Sequence, residues 1–117
     1  MQSSFAHRQW EITAEKVESA IRRIIKVAQP RKIILFGSYV RNAHGCNSDV
    51  DFLVVVGDDV ENPRKESVRI REALGDILMP MDLLVVPSGK WQELKDVPGL
   101  IYKEVQRTGE VVYESQP

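Results

Sequence analysis

A chain of 117 residues with 43% hydrophobic and 28% charged side chains has the length and balance of one ordinary globular domain, with one core and little room for a second. Its formal net charge of -1 conceals no large basic block of the kind that grips phosphate backbones, so RNA or DNA is not expected as the main ligand. No stretch approaches the roughly 18 apolar residues needed to cross a bilayer, the N-terminus lacks the apolar run of a secretion signal, and the single cysteine, Cys46, cannot form an intrachain disulfide; together these point to the cytoplasm and away from a membrane role.

Residues 1–12 are mixed and polar, with Phe5 and Trp10 as isolated aromatics, and read as an N-terminal arm. Thr13 suits a helix cap, and Ala14, Val17, Ala20, Ile21, Ile24, Ile25 and Ala28 then recur at helical spacing, which predicts an amphipathic helix ending before Pro30. The short apolar run Ile33–Phe36, terminated by Gly37, predicts a buried strand. Ser38 to about Ala43 reads as a short helix, residues 44–48 as a loop, and Asp49–Val56 as a second strand.

An acidic loop from Gly57 to Asn62 leads to Pro63 at a first helical position, and Val68, Ile70, Ala73, Leu74, Ile77 and Leu78 predict a second long helix stopped by Pro80. Asp82–Val86 is a third strand, ended by Pro87, Ser88 and Gly89, and Trp91–Leu94 a short helical turn. Pro98 starts a last helix carrying Leu100, Ile101 and Val105, which Gly109 ends before a strand at Val111–Tyr113. With no internal repeat and no linker, residues 13–114 are expected to form one domain and residues 115–117 a tail.

Strands alternating with helices predict an α/β domain of two or three layers, with a small mixed sheet packed by helices. If Ser38, at the end of the first strand, and Asp49, at the start of the second, serve one ligand, those strand ends are neighbours and the strands antiparallel. The second and third strands are separated by 25 residues that include a helix. That is enough for a right-handed crossover, which would make them parallel and bring Asp82 to the same rim as Asp51.

That rim holds the candidate chemistry. Asp49 and Asp51 alternate along a strand, so both face one side roughly 6 to 7 Å apart. Magnesium takes hard oxygen ligands and usually only one or two protein carboxylates, leaving places for phosphate and water. Three aspartates therefore fit a two-ion site, whose ions sit about 3.5 to 4 Å apart and stabilise the attacking and leaving oxygens of an in-line displacement. Asp82 would complete the ion nearer the attacking group and accept a hydroxyl proton.

An isolated pair of alternating aspartates is more often a solvated strand start. Here, however, the run Val50–Val56 is almost wholly apolar, so Asp51 within it needs a compensating cation or donor. Gly37 lets the backbone approach a phosphate closely, and Ser38 offers a hydroxyl and neighbouring amides, although a plain capped turn has the same pattern. Arg41, three residues on, would reach a triphosphate tail with its fork of donors, or face solvent. His44 reads as solvent-facing and Cys46 as an incidental thiol.

Gly37 and Ser38, then ten residues, then Asp49 and Asp51, then the distant Asp82 resemble the hallmark of the minimal nucleotidyltransferases of the DNA polymerase beta superfamily. The run Leu35–Arg41 is also similar to that family's approach to the motif, and the element order matches from about residue 13 to 114. Asn42 departs from it, since relatives often carry glycine there; asparagine tolerates the left-handed backbone region better than most residues.

The resemblance implies a nucleotidyltransferase palm that uses magnesium to transfer a nucleoside monophosphate, typically AMP from ATP, to an acceptor hydroxyl with release of pyrophosphate. It also implies a partner, because larger members add a helical domain that this chain lacks. Small relatives are often paired with a helical HEPN protein, an RNase-type toxin, which they neutralise as antitoxins by attaching AMP to a tyrosine. Two other readings remain open: a non-catalytic subunit that acts by occluding a partner, and a small-molecule transferase such as one modifying an antibiotic, whose acceptor pocket dimerisation would have to supply.

Overall fold

The computed structural model describes residues 10–41 and 49–115, with Arg41 in its backbone alone. Helix α1 (Ala14–Ala28) starts where the Thr13 side chain accepts the Lys16 N–H at 3.1 Å, and it buries Val17, Ala20 and Ile24 along one stripe. It ends because Gln29 takes a left-handed conformation (φ 47), its N–H returning to the Ile25 carbonyl at 2.9 Å, just before the buried Pro30.

Strand β1 (Lys32–Phe36) passes through Gly37 into the single turn α2 (Ser38–Arg41), and β2 (Val50–Val56) follows. Helix α3 (Pro63–Ala73) is capped by Asn62, which accepts the Lys65 N–H at 3.1 Å, with Pro63 in its first turn. Strand β3 (Met81–Pro87), helices α4 (Ser88–Leu94) and α5 (Ile101–Thr108), and strand β4 (Glu110–Glu114) complete the chain.

Strand ends shift by a residue, and three helix boundaries differ from the sequence expectation by three residues or more. The helix expected to reach Pro80 stops at Ala73, and tight turns follow: the Gly75 N–H bonds the Glu72 carbonyl at 3.3 Å and the Ile77 N–H the Leu74 carbonyl at 3.0 Å. Gly75 and Asp76 are poor helix formers, and a chain turning there still buries Leu74, Ile77 and Met79 while leaving Val68 and Leu78 exposed. Apolar spacing alone does not separate those two paths. Helix α4 begins at Ser88 rather than Trp91, its second residue held by the Asp58 carboxylate, which accepts the Gly89 N–H at 2.8 Å. The last helix starts at Ile101 rather than Pro98, after a turn in which Gly99 has a φ of +89.

The four strands form one mixed sheet in the order β3-β2-β1-β4. β1 runs antiparallel to both β2 and β4, with an irregularity between Ile33 and Ile34 on the β4 side, while β2 and β3 are parallel. The antiparallel first pair and the parallel second pair are the ones expected from the sequence.

Period-two alternation divides β2 between two cores. Val50, Phe52, Val54 and Val56 pack with Ile33, Leu35, Ile70 and the buried stripe of α1. Leu53 and Val55 pack on the opposite face with Ile34, Val86, Trp91 and Val105, where Tyr102 meets Trp91 edge-on with ring centroids 6.4 Å apart. Asp51 belongs to this second face but lies at the strand's head, short of the apolar patch. Among the described residues no helix is long and apolar enough to cross a membrane.

Candidate active site

The register places the site. Asp51 sits directly across from Phe36, the last residue of β1, and directly beside Asp82 of β3. Gly37 follows Phe36, so the turn after β1 lies against the Asp51 carboxylate. A Cβ at Gly37 would collide with Asp51 Oδ2, and the glycine has a φ of +85. Two requirements therefore converge on glycine at this position: a positive φ and room for a carboxylate. Ser38 opens α2, a single turn of four residues, too short for much helix dipole. Its contribution to an anion would come from local donors.

Asp49 is exposed and immediately precedes β2. The Asp51 carboxyl is pushed up to about 6, first by burial and then by the negative charges of Asp82 and Asp49. A half-buried carboxylate facing two others is electrostatically unfavourable without a cation. Donor chemistry and charge both suit a hard divalent ion.

The three carboxylates are nevertheless not closed around one point. Among the described residues no group of three or more His, Cys, Asp or Glu side chains is gathered as a metal cluster. Asp82, with 66% of its side chain exposed, has Arg71 of α3 at 4.0 Å. An exposed pair at this distance contributes little on its own. The backbone brings all three aspartates to one rim, with Asp82 in register beside Asp51 and its carboxylate near Arg71.

Arg71 was not among the residues singled out from the sequence. It stands 11 positions before Asp82, and only the α3 to β3 crossover brings the two together. The side chain of Arg41, and Asn42, His44 and Cys46, lie outside the described residues.

A family model described as a nucleotidyltransferase domain matches residues 14–108. Among curated proteins none matches the chain. Three solved structures share the fold. The first, assigned as a nucleotidyltransferase, aligns with a TM-score of 0.56 at 16% identity, over 86% of this chain and 100% of that one. The second, from Sulfolobus solfataricus and assigned likewise, aligns with a TM-score of 0.53 at 18% identity, over 88% and 90%. The third is a toxin-antitoxin with AMP-PNP, with a TM-score of 0.52 at 23% identity, over 85% and 74%.

Proposed function

The chain belongs to the nucleotidyltransferase domain family, and from that membership we propose that it transfers a nucleoside monophosphate, AMP from ATP, to an acceptor hydroxyl. The observation that carries the reading is the pairing of Asp51 with Asp82 beside Gly37, with the Asp51 carboxyl raised by burial and by its acidic neighbours.

In this reading Asp49, Asp51 and Asp82 hold two magnesium ions, which would supply charge neutralisation for the phosphates and the developing oxyanions. Gly37 lets the triphosphate approach the backbone, and Ser38 and Arg41 donate to its oxygens. Asp49 and Asp51 would hold those ions at the strand ends, where the α-phosphate has to sit. Asp82, on the outer strand, takes the proton of the acceptor hydroxyl. The hydroxyl oxygen bonds to the α-phosphorus, the bond from that phosphorus to the bridging oxygen breaks, and pyrophosphate leaves with the electron pair.

The acceptor we propose is a tyrosine of a HEPN-type toxin, with this chain as the cytoplasmic antitoxin. Likeness to a toxin-antitoxin with AMP-PNP and the resemblance of the motif to small paired relatives support it. Incubation with magnesium, ATP labelled at the α-phosphate and the product of the adjacent gene should add AMP to that product. Absence of label, with nucleotide binding demonstrated, would overturn the assignment.

The closeness of Arg71 to the Asp82 carboxylate favours one second reading, a non-catalytic subunit that neutralises its partner by occlusion. Asp49→Ala combined with Asp51→Ala separates the two: neutralisation undiminished in the variant means occlusion, and its loss in an assembled complex means catalysis.

A further inference from the structure

The carboxylates of the rim bear on one another: Asp51 stands in register beside Asp82, and its carboxyl is raised by burial and then by Asp82 and Asp49. Among the ion pairs of the described residues, one involves a rim aspartate, Arg71 with Asp82 at 4.0 Å. The fold sets up that meeting. Ile70 and Leu74, buried before and after Arg71, anchor the last turn of α3, and α3 packs on β3.

A cation in the last turn of a helix is favoured by the free carbonyls there, which explains an arginine at this end of α3 without reference to the rim. It does not explain the partner. Arg71 and Asp82 both line a cavity of about 230 Å³ beside β3, and among the described residues they are its charged members, the rest of the wall being mainly apolar, as at Phe52, Ile77 and Met81. On that side each charge is answered by the other and by water.

The pair is loose, with 53% of the Arg71 side chain and 66% of the Asp82 side chain exposed, so it contributes little to the fold. For a cation the same contact has a different weight. A divalent ion on Asp82 would meet the guanidinium's positive charge within a few ångströms, and like charges at that range disfavour each other. The pair and the ion therefore draw on one carboxylate, and by linkage whatever the pair contributes is subtracted from the affinity of the ion.

We propose that Arg71 is a positioning residue of the candidate site: a built-in counter-ion that holds the Asp82 carboxylate in the metal-free protein and lowers its affinity for the outer cation by competing for it. The proposal rests on the two-ion nucleotidyl-transfer reading of the rim and adds to it a residue that acts through Asp82.

The test is magnesium uptake by the full chain, measured by calorimetry for the parent, Arg71→Gln, Arg71→Lys, Asp82→Asn, and Arg71→Gln combined with Asp82→Asn, with thermal melting in chelator to show that each is folded. Arg71→Gln should bind magnesium about threefold more tightly than the parent. Arg71→Lys, which keeps the charge, should stay within about 1.5-fold of the parent. In the Asp82→Asn background, which retains Asp49 and Asp51, removing the arginine should change the remaining uptake by less than about 1.5-fold, so that the gain depends on both partners.

Unchanged affinity in Arg71→Gln overturns the proposal, as does a lysine variant that gains as much as the glutamine one. An equal gain with and without Asp82 overturns it too, since Arg71 would then be one more positive charge on the surface. Any of these results leaves the reaction reading standing where the parent still transfers AMP. Absence of magnesium uptake in both the parent and Arg71→Gln, with and without ATP, sinks the reaction reading and the counter-ion role together.

Discussion

Replacing Asp51 with asparagine should make the metal-free protein more stable while removing its capacity for cations. The carboxyl is raised from an ordinary 3.8 to about 6 by burial and by Asp82 and Asp49. At pH 7.5 the folded state therefore carries a charge it disfavours. Two pK units correspond to about 3 kcal/mol; water around this half-buried group screens much of that, leaving about 1 kcal/mol. Because the folded-state value is raised, the fold binds the proton more tightly than the unfolded chain does. Stability from this group is thus lost as pH climbs from about 4 to 6 and stays lost above.

Thermal unfolding in a chelator should place Asp51→Asn about 4 °C above the parent at pH 7.5, with the gap shrinking to roughly a third at pH 4.5. Added magnesium should stabilise the parent and leave the variant unmoved. An asparagine variant that melts at or below the parent in chelator at pH 7.5 would refute the idea that the three aspartates burden one another.

Gly37→Ala forces a Cβ into the Asp51 carboxylate at a positive φ, so urea unfolding should show a loss of about 2 kcal/mol together with weaker nucleotide uptake by calorimetry. Phe52→Ala empties a fully buried position of the core beneath α1 and α3 and should lower stability by about 4 kcal/mol, read from the urea midpoint at unchanged slope. Gln29→Gly relieves a left-handed residue at the end of α1 and should raise the melting temperature by a few degrees, about 1 kcal/mol. A fall instead would mean that the glutamine side chain contributes more than its backbone strain costs.

Much of the site was legible because it is local. Gly37 with Ser38, and Asp49 with Asp51, are set by neighbouring residues and by the two-residue period of a strand, so their placement at the strand ends follows from spacing alone. The split of β2 into two cores, with Asp51 on a face otherwise occupied by Leu53 and Val55, follows from the same period. Helix α1 was equally plain, since a cap, a continuous apolar stripe and a following proline coincide. The end of α3 was not: Ile70, Leu74 and Ile77 satisfy a helical repeat and also a turn that wraps the same core, and the choice depends on Gly75 and on where β3 has to begin.

By itself, the sequence determined the kinds of groups available, their order along the chain, and the antiparallel and parallel pairings that one shared ligand would demand. Tertiary structure decided what no spacing encodes. The crossover set Asp82 against Asp51 in strict register, swung Arg71 from the last turn of α3 onto Asp82, and left β3 on the outside of the sheet beside an apolar cavity. The physical reason is that contacts between residues distant in sequence depend on how the elements pack. Packing answers to the sum of buried surfaces and charges, not to any interval in the chain.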